Sequence, residues 1–139
     1  PYSLLNRSYE INMAEIAEME NIKLLAYSPL GFGMLTGKYI NNKPKNSRLS
    51  LFNRFDRYSN KNSKNATIEY VEIAKKYNIS PTQLALAFVN QQPFVASNII
   101  GATNLSQLEE NINSINITLD EEILSEIESI HSNQPNPAP

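Results

Sequence analysis

The 139-residue sequence predicts an α/β fold built on a parallel sheet. Two short apolar runs alternate with segments of helical periodicity, which gives the order helix, strand, long loop, helices, strand, helices. This alternation is typical of parallel α/β sheets. Two strands alone leave unpaired backbone groups and an uncovered apolar face, so we expect further strands to precede Pro1.

The first half of the chain supplies one helix, one strand and a long loop. A surface helix is predicted within residues 10–21, where Met13, Ile16 and Ala17 recur at helical spacing. Residues 24–27 form a short apolar run, as expected of a strand buried on both faces. Residues 31–64 lack a sustained period and predict a loop of the length that is often functional.

The second half begins with two helical segments and a strand. Helical periodicity returns over residues 66–77, and Ser80, Pro81 and Gln83 form the pattern of a capping box that opens a buried helix. Residues 97–102 predict a second buried strand that ends at Gly101.

Two further helices are predicted after this strand. Asn104 with Gln107, and Thr118 with Glu121, match the capping-box pattern. Residues 131–139 are expected not to continue the last helix. The inner faces of the two helices are predicted to consist of Leu105, Leu108, Ile112 and Ile115, and of Ile123, Leu124, Ile127 and Ile130.

Composition narrows the class of protein. The sequence has no cysteine, which excludes disulfides and thiolate chemistry in this segment and fits a reducing compartment. No apolar run approaches the roughly 18 residues that cross a bilayer, and no secretory leader is evident. We therefore expect a cytoplasmic protein that has neither a membrane nor a nucleic acid as its partner.

The net charge is −2, but basic side chains are concentrated in a segment between positions 38 and 64. Either these side chains face water in a solvated loop, or they form a local anion site. Asp56 is the one acid among them. The basic residues of the segment are Lys38, Lys43, Lys45, Arg48, Arg54, Arg57, Lys61 and Lys64.

Residues suited to phosphate binding follow both predicted strands. In β/α barrels, phosphate groups often lie at the loops after strands 7 and 8, beside a helix N-terminus. Gly31 and Gly33 allow close backbone approach, and Lys38 supplies a point charge. Thr103 precedes a predicted helix whose N–H groups favour an anion. The alternatives are an ordinary glycine turn and an ordinary helix cap.

The segments YSPLGFGMLTGKY, Ser47-Arg48 and IIGATNLSQLEENI resemble the cofactor-binding segments after strands 7 and 8 of aldo-keto reductases. PYSLLNR resembles the segment after strand 6, and the resemblance runs almost end to end. It implies the C-terminal portion of a (β/α)8 TIM barrel, from the end of strand 6 through strand 8 and the C-terminal helices. Residues 1–139 would then be a single incomplete domain.

The resemblance implies an NADP(H) cofactor. Tyr27 corresponds to the aromatic residue that stacks on the nicotinamide, and Lys38 to the clamp of the pyrophosphate. Arg48 corresponds to the basic residue that the family places near the adenosine phosphate. The last loop has Gln107 where many members have an arginine against the 2′-phosphate, so Arg48 would have to supply that charge. The remaining residues that the resemblance assigns are Ser28, Leu30 and Gly33 at the pyrophosphate, Thr103 and Gln107 near Arg48, and Glu110 and Asn111 at the adenine edge.

The same resemblance implies reduction of a small aldehyde or ketone by hydride transfer. The family's Asp, Tyr, Lys and His set belongs to segments upstream of Pro1, so no catalytic residue is assigned here, and His131 is expected at the surface. The expected partner is the missing N-terminal half of the barrel, without which this segment should be inactive. The alternatives are a nucleotide-sensing subunit similar to potassium-channel β subunits, and a degraded product without function.

Overall fold

The computed structural model of the chain describes residues 1–52 and 56–139, so the predicted basic residue Arg54 lies outside the described residues. Strands β1 (Leu24–Tyr27) and β2 (Val95–Ile99) pair in parallel. The register aligns Tyr27 with Ile99, with one irregularity between Leu24 and Leu25. The predicted α/β class with a parallel strand pair is confirmed.

The helices follow the predicted order along the chain and pack on one face of this pair. The described residues also contain short 3-10 segments at Ser8–Glu10, Gly31–Thr36 and Ser114–Asn116. Among the described residues, none of the helices has the length and apolarity needed to cross a membrane. The helices are α1 (Met13–Met19), α2 (Arg48–Leu51), α3 (Lys61–Lys76), α4 (Pro81–Asn90), α5 (Leu105–Asn113) and α6 (Glu121–Asn133).

Helix α4 forms the centre of the core. Its capping box is complete, because the Gln83 N–H donates to Ser80 Oγ at 3.1 Å and the Ser80 N–H donates to Gln83 Oε1 at 3.1 Å. Phe88 of this helix packs against the buried ring of Tyr2, with ring centroids 6.0 Å apart. The N-terminal segment is therefore part of the same core as α4.

The buried charge of Arg7 ties the N-terminal segment to the last helix. Its guanidinium donates from Nε to Glu10 Oε1 at 2.7 Å and from Nη1 to Glu128 Oε2 at 2.8 Å. The Arg7 backbone N–H donates to Asn136 Oδ1 at 2.6 Å. Beyond α6, the Ala138 N–H donates to the Leu5 carbonyl, so the C-terminal segment packs against residues 5–7.

The predictions that β1 is buried on both faces and that β2 is a buried strand are wrong for the described structure. Ala26 is fully buried, but Leu25 and Tyr27 are 60% and 49% exposed, and Ile99 is 51% exposed. Side chains alternate across a strand, so the helices cover one face of the pair and leave the other open.

Two predicted apolar helix faces are also exposed. Leu105 is 83% exposed, and Leu108, Ile112 and Ile115 are exposed beside it, because no described element packs against that face of α5. In α1, Ala17 is buried whereas Met13 and Ile16 are exposed. The inner face of α6 is confirmed, with Ile123, Ile127 and Ile130 buried and Leu124 partly buried against them.

Several predicted boundaries move. Helix α3 begins at Lys61, because Asn60 Oδ1 caps the Ser63 N–H at 2.9 Å. The predicted loop 31–64 thus contains the 3-10 segment, α2 and the first turn of α3. Strand β2 begins at Val95 and ends at Ile99, before Gly101. Asp120, not Thr118, caps α6, which continues through His131 to Asn133.

Candidate functional site

The candidate site lies where the two parallel strands end. Because Tyr27 and Ile99 are aligned, the segments that follow them leave from the same edge of the sheet. The Tyr2 N–H donates to the Tyr27 carbonyl at 3.2 Å, so the N-terminal segment lies beside this edge as well. The half-exposed Tyr27 belongs to the open face of the strand pair.

The segment after β1 has an unusual backbone. Left-handed conformations occur at Ser28 (φ 58°), Gly31 (φ 53°), Phe32 (φ 56°) and Gly33 (φ 91°). For residues with a side chain, such conformations cost of order 1–3 kcal/mol and persist only where the surroundings impose them. The Gly31 N–H donates to the Ser28 carbonyl and the Gly33 N–H to the Leu30 carbonyl, both at 2.9 Å. A tight, strained turn therefore begins directly at the strand end.

Gly33 and Lys38, both predicted site residues, meet in this turn. A Cβ atom at Gly33 would lie 3.1 Å from both Cε and Nζ of Lys38. The ammonium also lies 5.1 Å from the ring centroid of Tyr39, and Thr36 Oγ1 donates to the Gly33 carbonyl at 2.8 Å. The absence of a side chain at residue 33 thus allows a positive charge to lie against the backbone of the turn.

Arg48 reaches the same segment through an aromatic contact. It is the first residue of α2, and its Cζ lies 5.3 Å from the ring centroid of Phe32, a favourable distance for a cation on an aromatic face. Leu30 is partly buried against the core beside this turn. Leu30, Gly33, Lys38 and Arg48 therefore lie together at the turn that follows β1.

The segment after β2 is organised by polar side chains. The N–H and Oγ1 of Thr103 both donate to Gln107 Oε1, at 3.0 and 2.9 Å. Asn104 Oδ1 accepts from the Gln107 N–H at 2.9 Å, so half of the predicted capping box forms. The side chain of Gln107 reaches back one residue further than a capping box requires. Thr103 and Gln107, which the sequence predicts to act together, are hydrogen-bonded to each other.

Glu110 and Asn111 engage the protein rather than the open edge. Ser80 Oγ donates to Glu110 Oε1 at 2.5 Å, which links α5 to the first turn of α4. Asn111 is buried, and its Nδ2 donates to the Gly101 carbonyl at 3.2 Å. Their contact with an adenine edge stays a prediction, and these bonds show that they also fix the position of α5.

Sequence reasoning missed two aromatic residues of the site. Phe32 lies between Gly31 and Gly33 in the sequence, and the guanidinium of Arg48 lies over its ring. Tyr58 is buried although it lies in the basic segment, and its ring meets Phe32 edge to face with centroids 4.9 Å apart. An aromatic residue inside a polar, charged loop was the available signal, since such a side chain needs apolar cover.

His131 differs from its prediction as a surface residue. It is partly buried, and its Nδ1 has no hydrogen-bond partner within the described part of the chain. Burial lowers the pKa of His131, and the nearby Arg7 adds to this effect. Over residues 1–52 and 56–139, no group of three or more His, Cys, Asp or Glu side chains is arranged to hold a metal ion.

These features define an α/β protein with parallel strand ends that carry a glycine turn, a lysine and a capped helix. The sequence model of the Aldo/keto reductase family matches residues 1–132, and the chain belongs to that family. The resemblance recognised from the motifs is therefore confirmed at the level of the family, whose members are oxidoreductases.

Individual relatives are similar in sequence to most or all of this chain. The chain is 52% identical over 140 residues to Protein tas of Escherichia coli, a match that covers 100% of this chain and 40% of that protein. It is 31% identical over 137 residues to a putative voltage-gated potassium channel subunit beta of Schizosaccharomyces pombe, covering 93% of this chain and 40% of that one. The chain thus spans about 40% of the length of these curated relatives.

A solved structure has the same fold. The glycerol dehydrogenase of Gluconobacter oxydans matches 98% of this chain and 42% of its own, with a TM-score of 0.75 and 25% sequence identity. The arrangement of helices around the strand pair is therefore shared with an enzyme of known structure.

Proposed function

We propose that this chain is the C-terminal part of a (β/α)8 barrel, from the end of strand 6 through strand 8 and the C-terminal helices. The complete protein is an NADP(H)-dependent oxidoreductase that reduces a small aldehyde or ketone, and this part holds the dinucleotide. The observation that carries the proposal is the Lys38 ammonium lying against Gly33 at the edge where both strands end. Membership of the family supports the reaction class.

The residues at this edge fit a dinucleotide. Its pyrophosphate needs close backbone approach and positive charge, and both are present where Lys38 lies over the side-chain-free Gly33. Ser28 and Leu30 flank that turn and would line the same group. When bound, the reduced cofactor supplies a hydride to the carbonyl carbon of the substrate.

The adenosine end requires a separate set of contacts. Arg48 offers a planar fork of donors that suits a 2′-phosphate, and Thr103 with Gln107 would complete that end of the site. Glu110 and Asn111 would meet the adenine edge while they keep α5 in place. Tyr27, half-exposed on the open face, is the platform for the nicotinamide ring.

The open apolar surfaces support the proposal of an incomplete domain. Leu25 and Ile99 on the strand pair, with Leu105 and Ile115 on α5, suit cover by further strands and helices of a barrel. The proton donor and its tuning residues would come from that other part. In this account residues 1–139 alone are inactive, and the partner of this surface is the N-terminal part of the same barrel.

The alternative function is that of a nucleotide-sensing subunit. Relatives from Schizosaccharomyces pombe and Oryza sativa carry the names of voltage-gated potassium channel β subunits, at 31% and 32% identity. Turnover separates the two functions: the enzyme oxidises NADPH in the presence of an aldehyde, whereas a pure sensor binds NADPH without turnover. The cytoplasm is the proposed location, which suits a cysteine-free sequence.

The test uses the complete protein and a matched pair of lysines. Lys38→Met should weaken NADPH by about tenfold or more, since a hydrogen bond to a charged group is worth about 1.5–3 kcal/mol. Lys43→Met removes an equally charged, exposed residue of the same loop and should leave the affinity unchanged. Fluorescence titration with NADPH measures both. Equal affinities of the two variants would contradict the proposed site.

A further inference from the structure

Tyr58 is buried between exposed and half-exposed neighbours. It is 2% exposed, whereas Asp56 and Arg57 before it are exposed and Ser59 after it is only partly covered. The proposed cofactor contacts do not account for this burial. The side chain turns inward from the basic segment and packs beneath the turn that follows β1.

The ring of Tyr58 holds the glycine turn from one side. A Cβ atom at Gly31 would lie 3.3 Å from Tyr58 Cδ1 and 3.3 Å from Leu5 Cδ1, so both side chains pack closely against the bare Cα of Gly31. The next residue, Phe32, meets the Tyr58 ring edge to face at an interplanar angle of 83°. Two consecutive left-handed residues thus rest on one aromatic ring.

The phenol end of Tyr58 reaches the end of β1. Burial raises the pKa of Tyr58, and the neighbouring Tyr27 also raises it, while Arg57 and the Ser28 hydroxyl beside the phenol act to lower it. The phenol of Tyr58 therefore lies close to Ser28, a residue proposed to line the pyrophosphate.

The position of Tyr58 is itself fixed from the C-terminal segment. Arg57 Nε donates to the Pro139 carbonyl at 2.9 Å, and Asn60 Nδ2 donates to the Pro137 carbonyl at 2.8 Å. These bonds lie on both sides of Tyr58 in the sequence. They anchor residues 57–60, so that the ring cannot leave the turn without breaking contacts with the end of the chain.

We propose that Tyr58 is a positioning residue for the dinucleotide, which acts through Gly31, Phe32 and Ser28 without touching the cofactor's charged groups. It imposes the left-handed turn that places Gly33 beneath Lys38, and it supports the Phe32 ring on which Arg48 rests. This inference rests on the proposed function. It adds a residue to which no cofactor contact is assigned and makes selectivity for NADPH depend on the edge-to-face pair of Tyr58 and Phe32.

The experiment compares two buried tyrosines in the complete protein. Tyr58→Leu should weaken NADPH by about three- to tenfold, the scale of a lost aromatic pair, and NADH less. Tyr58→Phe keeps the ring and should rescue most of the affinity. Tyr70→Leu alters a tyrosine of similar burial in α3, whose hydroxyl donates to the Leu4 carbonyl, and should lower the melting temperature with the NADPH Kd unchanged.

A double-mutant cycle supplies a readout that general destabilisation does not move. After Tyr58→Leu, the further change Arg48→Ala should cost less than it costs in the wild type, because the platform of Arg48 is already disturbed. Where Tyr58→Leu does not fold, Phe32→Leu replaces it in the cycle, since that ring lies between the other two groups.

Each outcome bears on one of the two claims. A Tyr58→Leu variant that melts earlier but binds NADPH like the wild type would overturn the positioning role and leave the proposed function intact. Full additivity with Arg48→Ala would overturn it as well. A wild-type protein that fails to bind NADP(H) would overturn the proposed function, and this inference with it.

Discussion

The segments that follow the two strands are built in different ways. The segment after β1 has left-handed backbone held by packing, with Gly31 in close contact with Leu5 and Tyr58 and with buried Met34 and Leu35 beyond it. The segment after β2 is exposed over residues 101–109 and is held by hydrogen bonds among its own polar side chains. A segment that is already ordered before the cofactor binds loses less conformational entropy on binding. The segment after β1 should therefore contribute most of the cofactor affinity, and the segment after β2 should contribute less.

The largest expected effect comes from adding a methyl group to the segment after β1, and the same change in the segment after β2 serves as its control. Gly33→Ala should weaken both NADPH and NADH by about 2–3 kcal/mol, because the new Cβ shifts the Lys38 ammonium and a side chain at a φ of 91° strains the turn. Gly101→Ala should cost much less, because a Cβ there has no neighbour within 4 Å.

Calorimetric titration of the two alanine variants measures this difference. Similar losses at both positions would mean that the two segments contribute equally, against the contrast in their packing.

The second effect separates the two cofactors. Arg48→Ala should weaken NADPH by about 1.5–3 kcal/mol, the scale of a charged hydrogen bond, and change NADH little. Lys45→Ala, at an exposed position in the same basic segment, serves as the control for general loss of charge. The Kd values for both cofactors are the measurement. An equal loss of NADPH and NADH affinity in Arg48→Ala would assign this residue to a group that both cofactors share.

The smallest effect concerns the nicotinamide end. Tyr27→Ala removes the half-exposed platform, and an aromatic contact is worth about 0.5–1.5 kcal/mol beyond the buried area. Affinity should therefore fall by up to about tenfold, and kcat should fall further through misplacement of the ring. Tyr27→Phe should be nearly silent. Loss of turnover in Tyr27→Phe with intact NADPH binding would make the hydroxyl itself a participant in the chemistry.

Local signals account for what the sequence predicted well. The capping box at Ser80 and the inner face of α6 depend on residues within a few turns of each other, and both are confirmed. The apolar run of β1 likewise identified a strand with the predicted bounds. Pairing of the strands then follows from the order of elements, because successive α/β units form parallel sheets.

Contacts between distant segments explain what the sequence did not predict. Apolar Leu25 and Leu105 looked like core residues, but their exposure depends on what packs against them, and no described element does. Tyr58 is buried through contacts with residues about 26 positions earlier, which no local period encodes. Asp120 caps α6 in place of Thr118, in line with the stronger preference for aspartate than for threonine at the N-cap.

The central claim is that the strand ends of this chain hold a dinucleotide, and a crystal structure of the complete protein with NADP⁺ tests it most directly. The account predicts the pyrophosphate against the turn formed by residues 28–33 with Lys38 beside it, and the 2′-phosphate near Arg48. A dinucleotide bound away from both strand ends, or crystals grown in saturating NADP⁺ that contain none, would contradict the account.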